Sequence, residues 1–170
     1  FISLICFPLI IVSKIIVPGS ILEEITHDGK REAMRNREAR GTLVGFYDQG
    51  EDSIVTERRY AVVPKVASRS RLNKILDLGK LILHPSTYRS GYWIFFYQES
   101  IKRGGKTPAQ VEYHTHPRGS WSDEDLRTAR LGRNARDIKY ASLLYIVESG
   151  EFQAVNSDSH PIPIGRIEKS

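Results

Sequence analysis

The chain has 170 residues, 40% apolar and 9% aromatic, with 25 basic against 20 acidic side chains. That is the size and composition of one compact domain and argues against an intrinsically disordered chain; the excess of five positive charges permits contact with nucleic acid or an acidic protein face without demanding either. One cysteine, Cys6, excludes an internal disulfide and a cysteine-rich structural zinc site and suits a reducing, cytoplasmic setting.

Phe1 to Val12 (FISLICFPLIIV) is nearly all apolar, but twelve residues fall short of the roughly 20 that span a bilayer. The run reads either as the end of a longer membrane or signal segment, which would bring the chain to a membrane, or as an extra buried strand. Residues 13–170 read as the domain proper. Ser13 to Val17 is a short strand closed by Pro18-Gly19. Ser20 then caps a helix carrying Ile21, Leu22 and Ile25 on one face, which fades near Asp28-Gly29 or continues to Arg35. Gly41 to Tyr47 and Ser53 to Val63 are strands about a turn at Asp48-Gln49-Gly50. Ser68 to Leu78 reads as a helix and Leu81 to His84 as a strand. A further helix, Tyr88 to Lys102, ends at Gly104-Gly105. Its Trp93, Phe95, Phe96 and Tyr97 leave it apolar nearly all round, which predicts core packing, with an exposed docking surface or dimer seam as the alternative.

Gln110 to His114 is a strand stopped by Pro117, and a helix runs from Ser122 to about Arg136. Tyr140 to Val147 and Gly150 to Val155 form a hairpin turned at Ser149-Gly150, before a polar, proline-bearing tail, Asn156 to Ser170. Interspersed strands and helices with an antiparallel end predict an α+β (mixed α/β) domain.

The informative segment is Val111 to Leu126, VEYHTHPRGSWSDEDL. Alternation along a strand sends His114 and His116 to one face, at a strand end, as chelation of one metal ion requires. Ser122-Asp123-Glu124-Asp125 is a helix start, with Ser122 as cap and Asp125 in a first turn that favours a carboxylate. Two histidines and one carboxylate with a position left for water are a catalytic zinc shell rather than a closed structural one. The bland alternative is a pair of surface histidines beside an ordinary cap. Upstream, Glu38-Ala-Arg-Gly41-Thr-Leu43-Val-Gly45 reads E-x-x-G-x-L-x-G leading into a strand.

Taken in this order, E-x-x-G-x-L-x-G, His-x-His-Pro and Ser-x-x-Asp resemble the pattern of the JAMM (MPN+, Mov34/JAB) zinc metallopeptidases, in its prokaryotic-type JAB form. The resemblance spans roughly Ser13 to Val155. It implies a cytidine-deaminase-like JAB/MPN fold, a central mixed sheet flanked by helices. It implies Zn2+ held by His114, His116 and Asp125, Glu38 as general base, and Ser122 as a donor to the tetrahedral oxyanion. It also implies a substrate bond at the C-terminus of a ubiquitin-like protein or peptide, with the tail held extended by edge-strand pairing. In one respect the chain departs from the family. Five residues (PRGSW) separate His116 from Ser122 where the family commonly has seven. Ser120 with Asp123 also satisfies Ser-x-x-Asp, but Ser122 with Asp125 lets Leu126 and Ala129 continue a helical pattern.

Other residues carry weaker signals. His84 reads as a structural histidine at a strand end, and His27 and His160 as solvated. Glu112, on the same strand face as His114, reads as a surface residue, with a supporting role to a ligand imidazole as the alternative. Arg127, Arg130, Arg133 and Arg136 form a basic stripe that reads as a solvated helix face. The competing functional reading is a module of the same fold used for interaction, with nucleic acid through that stripe.

Overall fold

The computed structural model describes residues 12–62, 85–132 and 138–168. The apolar run up to residue 11, the expected helix at 68–78 and strand at 81–84 with His84, and Arg133 and Arg136 lie outside the described residues.

The elements run β1 (Lys14–Pro18), α1 (Gly19–Ala33), β2 (Arg40–Asp48), β3 (Ser53–Val62), α2 (Pro85–Arg103), β4 (Thr107–His116), α3 (Asp123–Gly132), β5 (Lys139–Ile146), β6 (Glu151–Asn156), β7 (Pro161–Ile162) and β8 (Ile164–Ile167). They build one mixed sheet in the order β7-β6-β5-β4-β2-β3-β1-β8, the mixed sheet with flanking helices expected from the sequence. β2 pairs antiparallel with both β3 and β4, while β4 and β5 run parallel. The β2–β3 turn forms where expected, the Asp48 carboxylate accepting the Gly50 amide at 3.0 Å. The other hairpin turns at Gly150, with φ +72°.

Three local expectations are corrected. The first helix begins at Gly19, after Pro18, with no side-chain cap, and runs to Ala33; Pro18 sets the entry backbone and displaces Ser20 from the cap position. The tail, read from the sequence as polar and proline-bearing with no strand assigned, holds two: β7 pairs with β6 and β8 with β1, with only Pro163 between them. One stretch of chain therefore covers both ends of the sheet, which must curl for this to happen. Ile162 and Ile164, two residues apart, supply the apolar side of that stretch, while Ile167 is exposed. The third correction is that Trp93, Phe95 and Phe96 are 58%, 55% and 59% exposed. The side of α2 that faces the sheet is Tyr97, Gln98 and Ile101. Tyr97 bonds Glu57 and stacks under Arg58, Gln98 donates to Gln110 at 3.2 Å, and Ile101 is buried. At 100° per residue, positions 93, 95 and 96 fall off that stripe.

An apolar cluster packs between the sheet and α1, while Val44 and Leu144 are buried on the opposite face. Ile21, Leu22 and Ile25 of α1 pack with Ile15, Leu43, Val111 and Leu143, each fully buried aliphatic side chain worth about 1.5–3 kcal/mol. β4 shows the division residue by residue: Val111, Tyr113 and Thr115 are buried, and Glu112, His114 and His116 between them are only partly so. The polar side of β4 is where the candidate site forms.

Candidate metal centre

His114 and His116 stand on that side at the end of β4, and their Nε2 atoms are 3.1 Å apart. α3 begins seven residues past His116 and brings Asp125 Oδ2 to 3.4 Å from His114 Nε2 and 3.3 Å from His116 Nε2. Bonds of 2.0–2.1 Å to a tetrahedral ion make ligand–ligand edges of about 3.3–3.4 Å. The three donors already stand at the corners of such a face, and among the described residues they form the one group able to hold a metal ion.

Protonation suits the same task. His116 Nδ1 lies 3.2 Å from the Gly119 carbonyl and 3.1 Å from that of Ser120. Both partners are acceptors, so Nδ1 carries the hydrogen and Nε2 keeps its lone pair toward the shared point. Burial holds the His114 pKa below the usual histidine value, against the pull of Asp125, so the ring is neutral, as a ligand must be. For Asp125, burial opposes ionisation, but the Ser122 amide and hydroxyl and the two imidazoles outweigh it and hold the carboxyl below the ordinary range.

Ser122 and Asp125 form a reciprocal cap: the Ser122 amide donates to Asp125 Oδ2 at 3.0 Å and the Asp125 amide to Ser122 Oγ at 3.1 Å. Ser120 instead donates its hydroxyl to Gln153 at 2.6 Å, so the pairing formed is Ser122 with Asp125. The short PRGSW connection is accommodated by Gly119 at φ +81°, a conformation glycine takes without penalty. The tightness of that loop is what puts two backbone carbonyls on His116.

Glu38 arrives by a different route. α1 ends with Asn36 at φ 52°, its amide bonded to Ala33 O and the Arg37 amide to Glu32 O, a Schellman closure that reverses the chain. Thr115, buried between the two histidines, then fixes the next stretch. Its hydroxyl accepts the Ala39 amide at 2.9 Å and its own amide donates to Ala39 O at 2.9 Å. Glu38 Oε1 lies 3.5 Å from His116 Nε2, while Oε2 pairs with Arg40 Nη2 at 2.7 Å. The motif glycines have steric reasons. A Cβ on Gly41 would fall on the Tyr113 ring, 2.5 Å from Cε1 and Cζ; one on Gly45 would collide with the Val55 carbonyl and sit 2.8 Å from Thr56 Cα.

A cleft of about 930 Å³ opens over the cluster, lined among others by Glu38, Arg40, Trp121 and Glu124. The Trp121 ring meets His114 edge-on at 5.6 Å. Glu112 is not a surface residue as expected: it is partly buried in the cleft and takes bonds from Thr42, at 3.1 Å, and from Gln110. Reading the sequence missed Thr115, Trp121 and Arg40. The hydroxyl residue between two same-face histidines was the one available signal, since it must point to the opposite, buried face. His27 and His160 are exposed, as are Arg127 and Arg130, with Arg130 donating to Ser159.

No family model matches the chain, and no curated protein does. Among solved structures, the chain is similar to one described as "JAMM: A Metalloprotease-like Zinc Site in the Proteasome and Signalosome", at 13% identity and a TM-score of 0.42, over 92% of this chain and 99% of that one. It is also similar to a JAB1/MPN domain protein from Archaeoglobus fulgidus, at 16% identity and a TM-score of 0.45, over 91% of this chain and 97% of that one. Those are the proteins the chain is similar to; the metal centre stands on its own atoms.

Proposed function

We propose that the protein is a zinc-dependent metallopeptidase of the JAMM type, cleaving a peptide or isopeptide bond at the C-terminus of a ubiquitin-like protein. The observation that carries this reading is the tetrahedral spacing of His114, His116 and Asp125 with a fourth, non-ligating carboxylate, Glu38, held 3.5 Å from His116. Zinc bound there supplies Lewis acidity, polarising a scissile carbonyl and acidifying water to a pKa of about 7. Glu38 accepts the proton at Oε1 and returns it to the leaving amine. The Ser122 Oγ accepts the Asp125 amide and its hydroxyl supports the Asp125 carboxylate; turned from that carboxylate to an oxyanion, the hydroxyl would supply a contact worth roughly 3 kcal/mol. An extended tail has a candidate edge nearby: among the described residues β7 pairs with β6 only at Ala154 and Val155, leaving the outer side of Glu151–Gln153 for strand addition.

The test is metal analysis joined to cleavage assays on ubiquitin-like fusions. The wild type should hold one zinc per chain and cleave, His116→Ala should lose zinc, and Glu38→Gln should keep zinc and fold but lose activity. Unchanged turnover in Glu38→Gln rejects the role given to Glu38. A second reading, an interaction module of the same fold, draws on the exposed Trp93, Phe95 and Phe96. A metal-free protein with salt-sensitive binding to nucleic acid would favour it.

A further inference from the structure

Glu38, Ala39 and Arg40 precede and open β2, and Arg40 stands directly across from His114 in the β2–β4 ladder. The backbone of the middle residue is pinned on both sides, its amide to the Thr115 hydroxyl and its carbonyl to the Thr115 amide. What remains free in Glu38 is its side chain, whose three torsions leave the carboxylate many positions in a cleft of about 930 Å³. Arg40 removes that freedom at one oxygen: Nη2 holds Oε2 at 2.7 Å, and the other oxygen, Oε1, is the one turned to the metal-binding imidazole of His116. The Arg40 side chain is 63% exposed, so the pair adds little to stability. Its effect is on where the carboxylate points.

We infer that Arg40 is a positioning residue, which clamps Oε2 of Glu38 so that Oε1 alone faces the metal centre. This rests on the reading of Glu38 as the general base. A guanidinium suits the task because it stays charged and its planar fork fixes direction as well as distance. It holds the carboxylate without covering Oε1, and it leaves the proton transfer to Glu38.

The test compares Arg40→Ala and Arg40→Lys with the wild type, all zinc-loaded. The expected result is unchanged zinc content, a 10- to 100-fold lower kcat for Arg40→Ala with KM unchanged, and partial recovery in Arg40→Lys, which restores the charge but not the fixed direction. Losses of that size are typical when a partner that orients a metal-site group is removed. A loss that appears in KM instead makes Arg40 a substrate contact and overturns the proposal, as does an unchanged kcat. A crystal structure of zinc-loaded Arg40→Ala reads the same point without any assay of turnover. A Glu38 carboxylate spread over several rotamers supports the clamp, and one unmoved from its wild-type position refutes it. If no substrate is cleaved by the wild type, the peptidase reading fails while the structural comparison still decides the clamp.

Discussion

Ser122→Ala separates two roles that one side chain holds at the mouth of α3. In the folded protein the Ser122 Oγ accepts the Asp125 amide at 3.1 Å, and the Ser122 amide returns a bond to Asp125 Oδ2 at 3.0 Å. Alanine removes the first bond and keeps the second. Loss of a serine cap costs about 1 kcal/mol, and in a chain of this length each kcal/mol lowers Tm by about 2–4 °C. The metal-free variant should therefore melt about 2–4 °C lower. Asp125 loses one of the contacts that hold its carboxyl ionised and aimed between the imidazoles, so zinc affinity should fall by about tenfold, the lower end for a lost orienting partner. Asp125→Asn is the complement. It keeps an acceptor for the Ser122 amide but withdraws the ligand charge, so the metal-free Tm moves little and zinc affinity falls further than in Ser122→Ala. Thermal melts in chelator and competition titrations against a zinc dye read the two effects apart. A Ser122→Ala protein with wild-type melting and wild-type affinity would refute the reasoning, because the reciprocal cap would then be contributing to neither.

Gly45→Ala should cost more than about 4 kcal/mol and leave little folded protein, because its Cβ would enter the backbone of β3 at Val55 and Thr56; a soluble variant with a near-wild-type urea midpoint would contradict that packing. For pH, the His114 pKa is depressed by burial, so below about pH 6.5 the unfolded chain binds a proton that the folded one refuses, and metal-free stability falls as pH falls, by at most about 1.4 kcal/mol per pH unit. Urea titrations between pH 7.5 and 5.5 should show that slope and His114→Gln should lack it; equal slopes in both proteins would count against His114 as its source.

The pairing of His114 with His116 and the cap of Ser122 on Asp125 were legible in the sequence because each follows a local rule, whereas Glu38 was pointed to only by the resemblance of its segment to a family pattern. Alternation places His114 with His116, and a serine three residues before Asp125 marks a helix start. The glycines of E-x-x-G-x-L-x-G could be matched but not explained, since their cause is a long-range approach: the Tyr113 ring over Gly41 and the Val55 carbonyl against Gly45. The strands of the tail were missed for a similar reason. The tail reads only as polar and proline-bearing, yet a proline is tolerated at a sheet edge, where its missing amide faces no partner. The aromatic helix failed differently. Hydrophobic content gave Trp93, Phe95 and Phe96 to the core, but the phase of α2 is set by Tyr97 and Gln98 reaching polar partners on β3 and β4, and no composition rule fixes that phase. Arg40 carries no local signal at all; it gains meaning only when Glu38 is seen beside His116.

The sheet order explains why four side chains from three distant segments meet at all. β4 is central, with β2 antiparallel on one side and β5 parallel on the other. An antiparallel neighbour begins where its partner ends, so the start of β2, and Glu38 just before it, lies beside His114 and His116. A parallel neighbour cannot be reached by a tight turn; the chain must cross back over the face of the sheet, and it does so through a helix. The first turn of that helix, α3, must lie near the end of β4, which is where Ser122 and Asp125 are found. The helix's partial positive N-terminus then faces the carboxylate it holds. Reversing either neighbour would carry Glu38 or Asp125 to the far end of β4, roughly 25–30 Å away over its nine residue steps at 3.3 Å each. The topology, rather than any one contact, is what brings the candidate metal ligands together, and the contacts of Thr115 and Ser122 then fix the backbone and carboxylate beside them.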